Sequence, residues 1–209
     1  MTASNRTLAV IPGLFRPRDL PPDRPGSAAF CFVMVVDSRA DPGRRARLFR
    51  YALDSCGPTA PRDPDASWAF QIGPNYFSAA GLDLRLAPDS GRGLLGCETT
   101  GPHPTAADCG SVSGTLRHGT RHELQPSLLA PSAMGWLEYL PDGALPCRHG
   151  ILSLAHHVSG HLAVDGQPAA LTDARGYLEK DWGAHFPRGW LWMQCSSLHP
   201  PGPRTATPP

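Results

Sequence analysis

No stretch of this sequence sustains a 3.6-residue apolar stripe over three helical turns, and that constrains the fold more than any single motif. Apolar runs are short, and Gly, Pro or Asp separate them at close intervals. Residues 30–36 form a β-branched and aromatic run bounded by turn residues, which reads as a buried strand. Trp68, Phe70 and Ile72 share one face, Gly73-Pro74-Asn75 turns the chain, and Leu82, Leu84 and Leu86 alternate with Asp83 and Arg85. Further strands are expected over 94–99, 111–117, 134–140, 149–156, 161–165, 176–183 and 190–195, with a hairpin turn at Asp165-Gly166. Residues 44–54 suit a helical face or an edge strand. Residues 5–15 read as a short apolar piece broken by Pro12-Gly13. The 22 glycines and 24 prolines among 209 residues fit a turn-rich chain and not a helical bundle. The spacing predicts an all-β, antiparallel barrel or sandwich.

Nineteen Lys and Arg against 18 Asp and Glu, with no basic block, argue against an electrostatic grip on nucleic acid or on anionic membrane. The longest apolar run, 28–36, is far short of the ~20 residues of a membrane-spanning helix, and the first fifteen residues lack a secretory pattern. The six cysteines, 31, 56, 97, 109, 147 and 195, form no C-x-x-C pair. They read as reduced thiols, and the chain as cytoplasmic. The length suits one β domain over 1–199, followed by a proline-rich tail, 200–209, expected to be disordered.

The densest chemistry lies between Arg175 and Cys195, where three of the five tryptophans stand beside two carboxylates and a lysine. On a strand, period two puts Tyr177, Glu179 and Asp181 on one face and Leu178, Lys180 and Trp182 on the other. Trp190, Trp192 and Gln194 share a face of the next expected strand.

The string Gly176-Tyr-Leu-Glu-Lys-Asp-Trp-Gly-x-x-Phe-Pro-x-x-Trp-x-Trp-x-Gln194 resembles the signature of the tocopherol cyclase-like family. Upstream, Ile11-Pro-Gly13, Phe70-x-Ile-Gly-x-Asn-x-Phe-Ser78, Pro131-x-x-Met-Gly-Trp136, Cys147-x-His-Gly150 and Ser159-Gly-x-Leu162 follow in the family's order. The resemblance covers roughly residues 8 to 197 and lacks the family's N-terminal Gly-Trp-Tyr-Phe-Lys segment and a further C-terminal β region. Loops rich in alanine, arginine and proline suggest a bacterial member. The resemblance implies a lipocalin-like barrel or sandwich, incomplete here. It also implies closure of a chromanol ring by adding the phenol oxygen of a prenylated quinol across an alkene.

That reaction needs an acid for the alkene, apolar walls around the tertiary cation and an acceptor for the phenol proton. A carboxyl buried among apolar groups stays protonated near neutrality, so Asp181 or Glu179 against tryptophan is the expected acid, and His149 the expected neutral base. Tyr177, Trp136, Trp182, Trp190, Trp192 and Gln194 are the expected substrate contacts, and indole faces suit a cation. No cofactor or metal is required. Glu179 and Asp181 equally fit ion pairs that pin a loop, and His149 a buried structural histidine. His157 and His161 stand at i and i+4, a metal-ligand spacing on a helix, but Gly160 signals a turn between them. The expected partner is a hydrophobic isoprenoid or lipid, with at most transient contact with a membrane surface. Two alternatives share these residues: a lipocalin-like carrier that binds such a ligand without converting it, and a fragment that lacks a stable fold.

Overall fold

The computed structural model describes residues 6–16, 29–89, 91, 93–100, 106–141, 143–169, 171 and 174–184. Their regular structure is strand and short 3-10 turn, with no α-helix among them. The strands are β1 (Leu8–Phe15), β2 (Phe30–Asp37), β3 (Ala46–Ala52), β4 (Cys56–Pro58), β5 (Ala69–Ile72), β6 (Asn75–Ser78), β7 (Gly81–Leu86), β8 (Leu94–Thr99), β9 (Val112–His118), β10 (Cys147–Val164), β11 (Gln167–Pro168) and β12 (Arg175–Gly183). The chain divides into two compact units, Met1–Gly119 with Val158–Ala174, and Thr120–His157 with Arg175–Pro209.

The first unit is a two-layer sandwich. One sheet has the order β1-β2-β3-β8, and the other runs β11-β10-β9-β7-β6-β5-β4, every neighbour antiparallel. Period-two alternation selects the inner faces: Cys31, Val33 and Val35 of β2 and Phe49 and Tyr51 of β3 meet Ile72, Phe77, Leu84, Leu86, Val112, Leu162 and Val164 in one buried cluster. Each such aliphatic or aromatic side chain contributes about 1.5–3 kcal/mol by leaving water. Neither sheet closes on itself among the described residues, so the fold is an open sandwich rather than a closed barrel. Asn75, fully buried, is held on all sides: its amide donates to the Tyr51 hydroxyl and the Ile72 carbonyl, and its oxygen accepts from the Arg85 N–H.

The sheets are tied at one end by Arg47 of β3. Its guanidinium, 2% exposed, donates two hydrogen bonds to Asp165, at 2.9 and 2.8 Å, and a third to the Cys109 carbonyl. Asp165 and Gly166 both have positive φ, 52° and 75°, as the tight β10–β11 hairpin turn requires. Gly110 has no side chain to obstruct this contact; a Cβ there would lie 1.9 Å from Asp165 Oδ1. Burial alone would push Asp165 up, but the Arg47 hydrogen bonds and the Ser111 N–H outweigh it and hold the carboxyl below its ordinary range. Asp37 is lowered in the same way, with Arg6 and the Arg39 N–H prevailing over burial.

Four expectations change. Cys97 and Cys109 form a disulfide, Cα atoms 6.3 Å apart, so the reading of all six cysteines as reduced thiols is overturned and the cytoplasmic expectation loses that support. The pair is made by tertiary return of the chain, which a search for closely spaced cysteines does not detect. Residues 134–140, expected as a strand, hold a 3-10 turn (Gly135–Tyr139): Gly135 has φ +59°, and the Ser132 hydroxyl accepts from the Met134 N–H. The two strands expected at 149–156 and 161–165 are one, β10, with no turn at Gly160; His157 and His161 stand four positions apart on it, about 13 Å at strand rise. Finally, β1 runs unbroken through Pro12, because it is a sheet edge that can spare an N–H. The ambiguous 44–54 segment contains strand β3.

Two predictions follow from these ties. A group with a depressed pKa stabilises the fold above its unfolded value and loses that contribution as pH falls through its folded value. The melting temperature is therefore expected to hold down to about pH 4, near the unfolded Asp value, and to drop below it. Asp165→Asn should lower the neutral-pH melting temperature and flatten the acid limb, as measured by thermal melts from pH 2 to 7. Reductant should lower the unfolding free energy by about 2–3 kcal/mol in urea titrations, the loop-closure effect of a short cross-link, and a Cys97→Ala chain should show no such reductant dependence.

Candidate functional site

The second unit is built on a two-stranded ribbon in which residues 147–157 of β10 pair antiparallel with β12. Cys147 lies opposite Gly183, His149 opposite Asp181 and Ile151 opposite Glu179. β10 then carries an extra residue before Ser153, which pairs with Leu178, and another before His156, which pairs with Gly176. The regular part of the ribbon puts His149 on the same face as Glu179 and Asp181, as period two requires.

On that face His149 Nδ1 lies 2.7 Å from Asp181 Oδ1, and His149 Nε2 lies 3.8 Å from Glu179 Oε2. An ionised carboxylate only accepts, so with Asp181 charged the imidazole hydrogen sits on Nδ1. The His149 and Asp181 side chains are each 34% exposed. Tyr177 joins them: burial pushes its phenol up, and the hydrogen bond to Glu179 and the charges of Glu179 and Asp181 push the same way, so it stays protonated well above the ordinary tyrosine range. Burial, with the Asp181 charge adding to it, also raises the Cys147 thiol; a protonated thiol is a poor nucleophile.

The opposite face carries different chemistry. Lys180 Nζ sits 4.6 Å from the Trp182 ring centre, a cation–π contact made over Gly150, where a Cβ would lie 3.2 Å from the indole. Trp182 is 42% exposed and Trp136 65% exposed. Among the expected site residues, then, His149, Glu179, Asp181 and Tyr177 come together, whereas Trp182 lies across the ribbon from them. Trp190, Trp192 and Gln194, like the 200–209 tail, lie outside the described residues.

The ribbon is braced by the loop before it. The His149 N–H donates to Met134 Sδ at 3.1 Å. Arg148, almost fully buried, donates to the carbonyls of Glu138, Leu140 and Pro141 and pairs with the Glu138 carboxylate at 3.4 Å. His156 Nδ1 bonds the buried Ser153 hydroxyl, and its ring lies so close to Gly176 that a Cβ there would be 2.2 Å from Nε2.

Residues 114–202 match the sequence model of the family described as tocopherol cyclase-like. That stretch contains the whole ribbon and every expected site residue. Over these residues the chain is similar to the tocopherol cyclase-like family. Over 66 residues it is 38% identical to a probable chloroplastic tocopherol cyclase of Oryza sativa subsp. japonica and 36% identical to a chloroplastic tocopherol cyclase of Zea mays. Each alignment covers 31% of this chain and 13% of the plant protein. No solved structure matches it.

Sequence reasoning missed Arg148, the unspecified position of Cys147-x-His-Gly150, and the supporting role of Met134. A buried arginine and a thioether acceptor leave no periodic signal. The signal for His156 was Gly176, a residue with no strand propensity at the head of a strand. The raised phenol is directly measurable. Ultraviolet titration of the wild type minus Tyr177→Phe should show Tyr177 ionising well above pH 10, the ordinary tyrosine value. Glu179→Gln should lower that midpoint only in part, because burial is the larger cause.

Proposed function

We propose that this chain carries the proton-handling part of an intramolecular cyclase that closes a chromanol ring on a prenylated quinol. The observation that supports the reading best is the 2.7 Å contact between His149 and Asp181, with Glu179 and Tyr177 on the same face. A carrier that only holds a lipid has no need of a carboxyl and an imidazole in direct contact.

Ring closure is an isomerisation, so the site must return every proton it gives. In the reacting state Asp181 holds a proton taken up from water on the oxygen that His149 does not engage and delivers it to the alkene carbon, returning to the charged carboxylate that the Nδ1 hydrogen bond stabilises. The phenol oxygen attacks the tertiary cation, forming the C–O bond. His149 Nε2 takes the phenol proton, and Glu179 steadies the imidazolium. The pair now holds as many protons as at the start, and water exchange at this one-third exposed contact restores their starting positions. Tyr177, protonated throughout, is a hydrogen-bond donor for the quinol oxygens. Trp136, Trp190, Trp192 and Gln194 are the proposed contacts for the prenyl chain and the ring, whereas Trp182, on the ribbon's other face against Lys180, drops out of the expected set.

Asp181→Asn tests the reading. The amide preserves shape but cannot deliver the proton, so turnover of a prenylquinol should fall by at least a hundredfold, within the range general acid catalysis contributes, while quinol binding stays within about tenfold. Loss of binding and of the folding transition together would instead make Asp181 a structural brace.

A further inference from the structure

Four apolar side chains project from the loop that precedes the ribbon: Leu128 and Leu129, 85% and 83% exposed, with Trp136 and Tyr139. They are held there by a well-bonded frame. The Ser127 and Ala130 N–H groups donate to each other's carbonyls at 3.0 and 3.2 Å, and Ala130 N–H also reaches the Ser127 hydroxyl, closing a tight turn with the two leucines at its tip. The Tyr139 hydroxyl donates to the Leu128 carbonyl at 2.6 Å. From beneath, Arg148 holds the carbonyls of 138, 140 and 141, and Ser132 donates to Glu138.

We propose that this 128–139 tip docks the protein on a lipid bilayer, with the two leucines in the upper acyl region and Trp136 and Tyr139 at headgroup depth. Three features select a bilayer over a protein partner. The tip's composition matches the interface: aliphatic at the apex, with one tryptophan and one tyrosine behind, the residues whose amphipathic rings settle between apolar and wet regions. Residues 124–137 contain no ionisable side chain, and the backbone at the apex is bonded internally, so insertion desolvates no charge and leaves few polar groups unmet. Finally, four side chains by themselves do not make up the roughly 20–30 residues a side, about 800 Å², of a stable protein interface, whereas a few apolar side chains suffice for interfacial anchoring. The apex carries no charge and Glu138 behind it is paired with Arg148, which points to zwitterionic lipid.

The inference rests on the proposed function in one respect: a prenylated quinol partitions into membranes, and a docked tip would bring the site to it. The test uses lipid alone, so it stands or fails separately from the chemistry. Flotation of the full 209-residue chain with phosphatidylcholine vesicles, without quinol, should carry the wild type upward. A Leu128→Ser/Leu129→Ser chain should bind at least tenfold more weakly, with an unchanged thermal melt because both positions are exposed. Wild-type protein that stays unbound, a double variant that floats equally well, or binding seen only when anionic lipid is added would each overturn the proposal. So would a concentration-dependent oligomer in lipid-free buffer that the double variant abolishes, because the tip would then be a protein contact.

Discussion

The buried guanidinium of Arg47 is the tie on which the sandwich depends. It sits at 2% exposure with its donors spent on Asp165 and the Cys109 carbonyl. A charge taken that far from water must be answered in full, and here a hairpin turn, a backbone carbonyl and the approach permitted by Gly110 answer it together. The disulfide from Cys109 to Cys97 secures the same corner covalently. Strand pairing builds each sheet, but this corner joins β3 of one sheet to the β10–β11 turn of the other.

The ribbon of the second unit follows a different logic. Its two strands are short of apolar cover, and its order comes from directed polar contacts: Arg148 on the carbonyls of the preceding loop, Met134 on the His149 amide, Ser153 on His156. These contacts hold the His149 backbone and leave its ring free to face Asp181 and Glu179. A proton relay needs such a division, because the backbone must stay fixed while the ring nitrogens exchange hydrogens.

Much of this was legible in the sequence. The alternation at Leu82, Leu84 and Leu86, the run at 30–36 and the Asp165-Gly166 turn are local patterns, and local patterns survive into the fold. The shared face of Tyr177, Glu179 and Asp181 followed from strand period alone. What stayed hidden depended on contacts between distant segments. The Cys97–Cys109 bond depends on where β8 and the chain before β9 come to lie. The 3-10 turn at Gly135–Tyr139 depends on Ser132 and on a positive φ at Gly135, which an apolar run conceals. The pairing of His149 with Asp181, 32 residues apart, needed the register of β10 against β12, and no periodicity states a register.

The two extra residues that β10 carries between Ile151 and His156 set the terms on which this ribbon can vary. Each extra residue alone exchanges the two faces of the strand, and two together restore them. Both are absorbed where they stand, so the pairing keeps its register on either side, with His149 opposite Asp181 before them and His156 opposite Gly176 after them. Deleting either extra residue would therefore smooth the strand and spare the pair, whereas deleting Gly150, inside the regular stretch, would set His149 opposite Lys180 and on the wrong face.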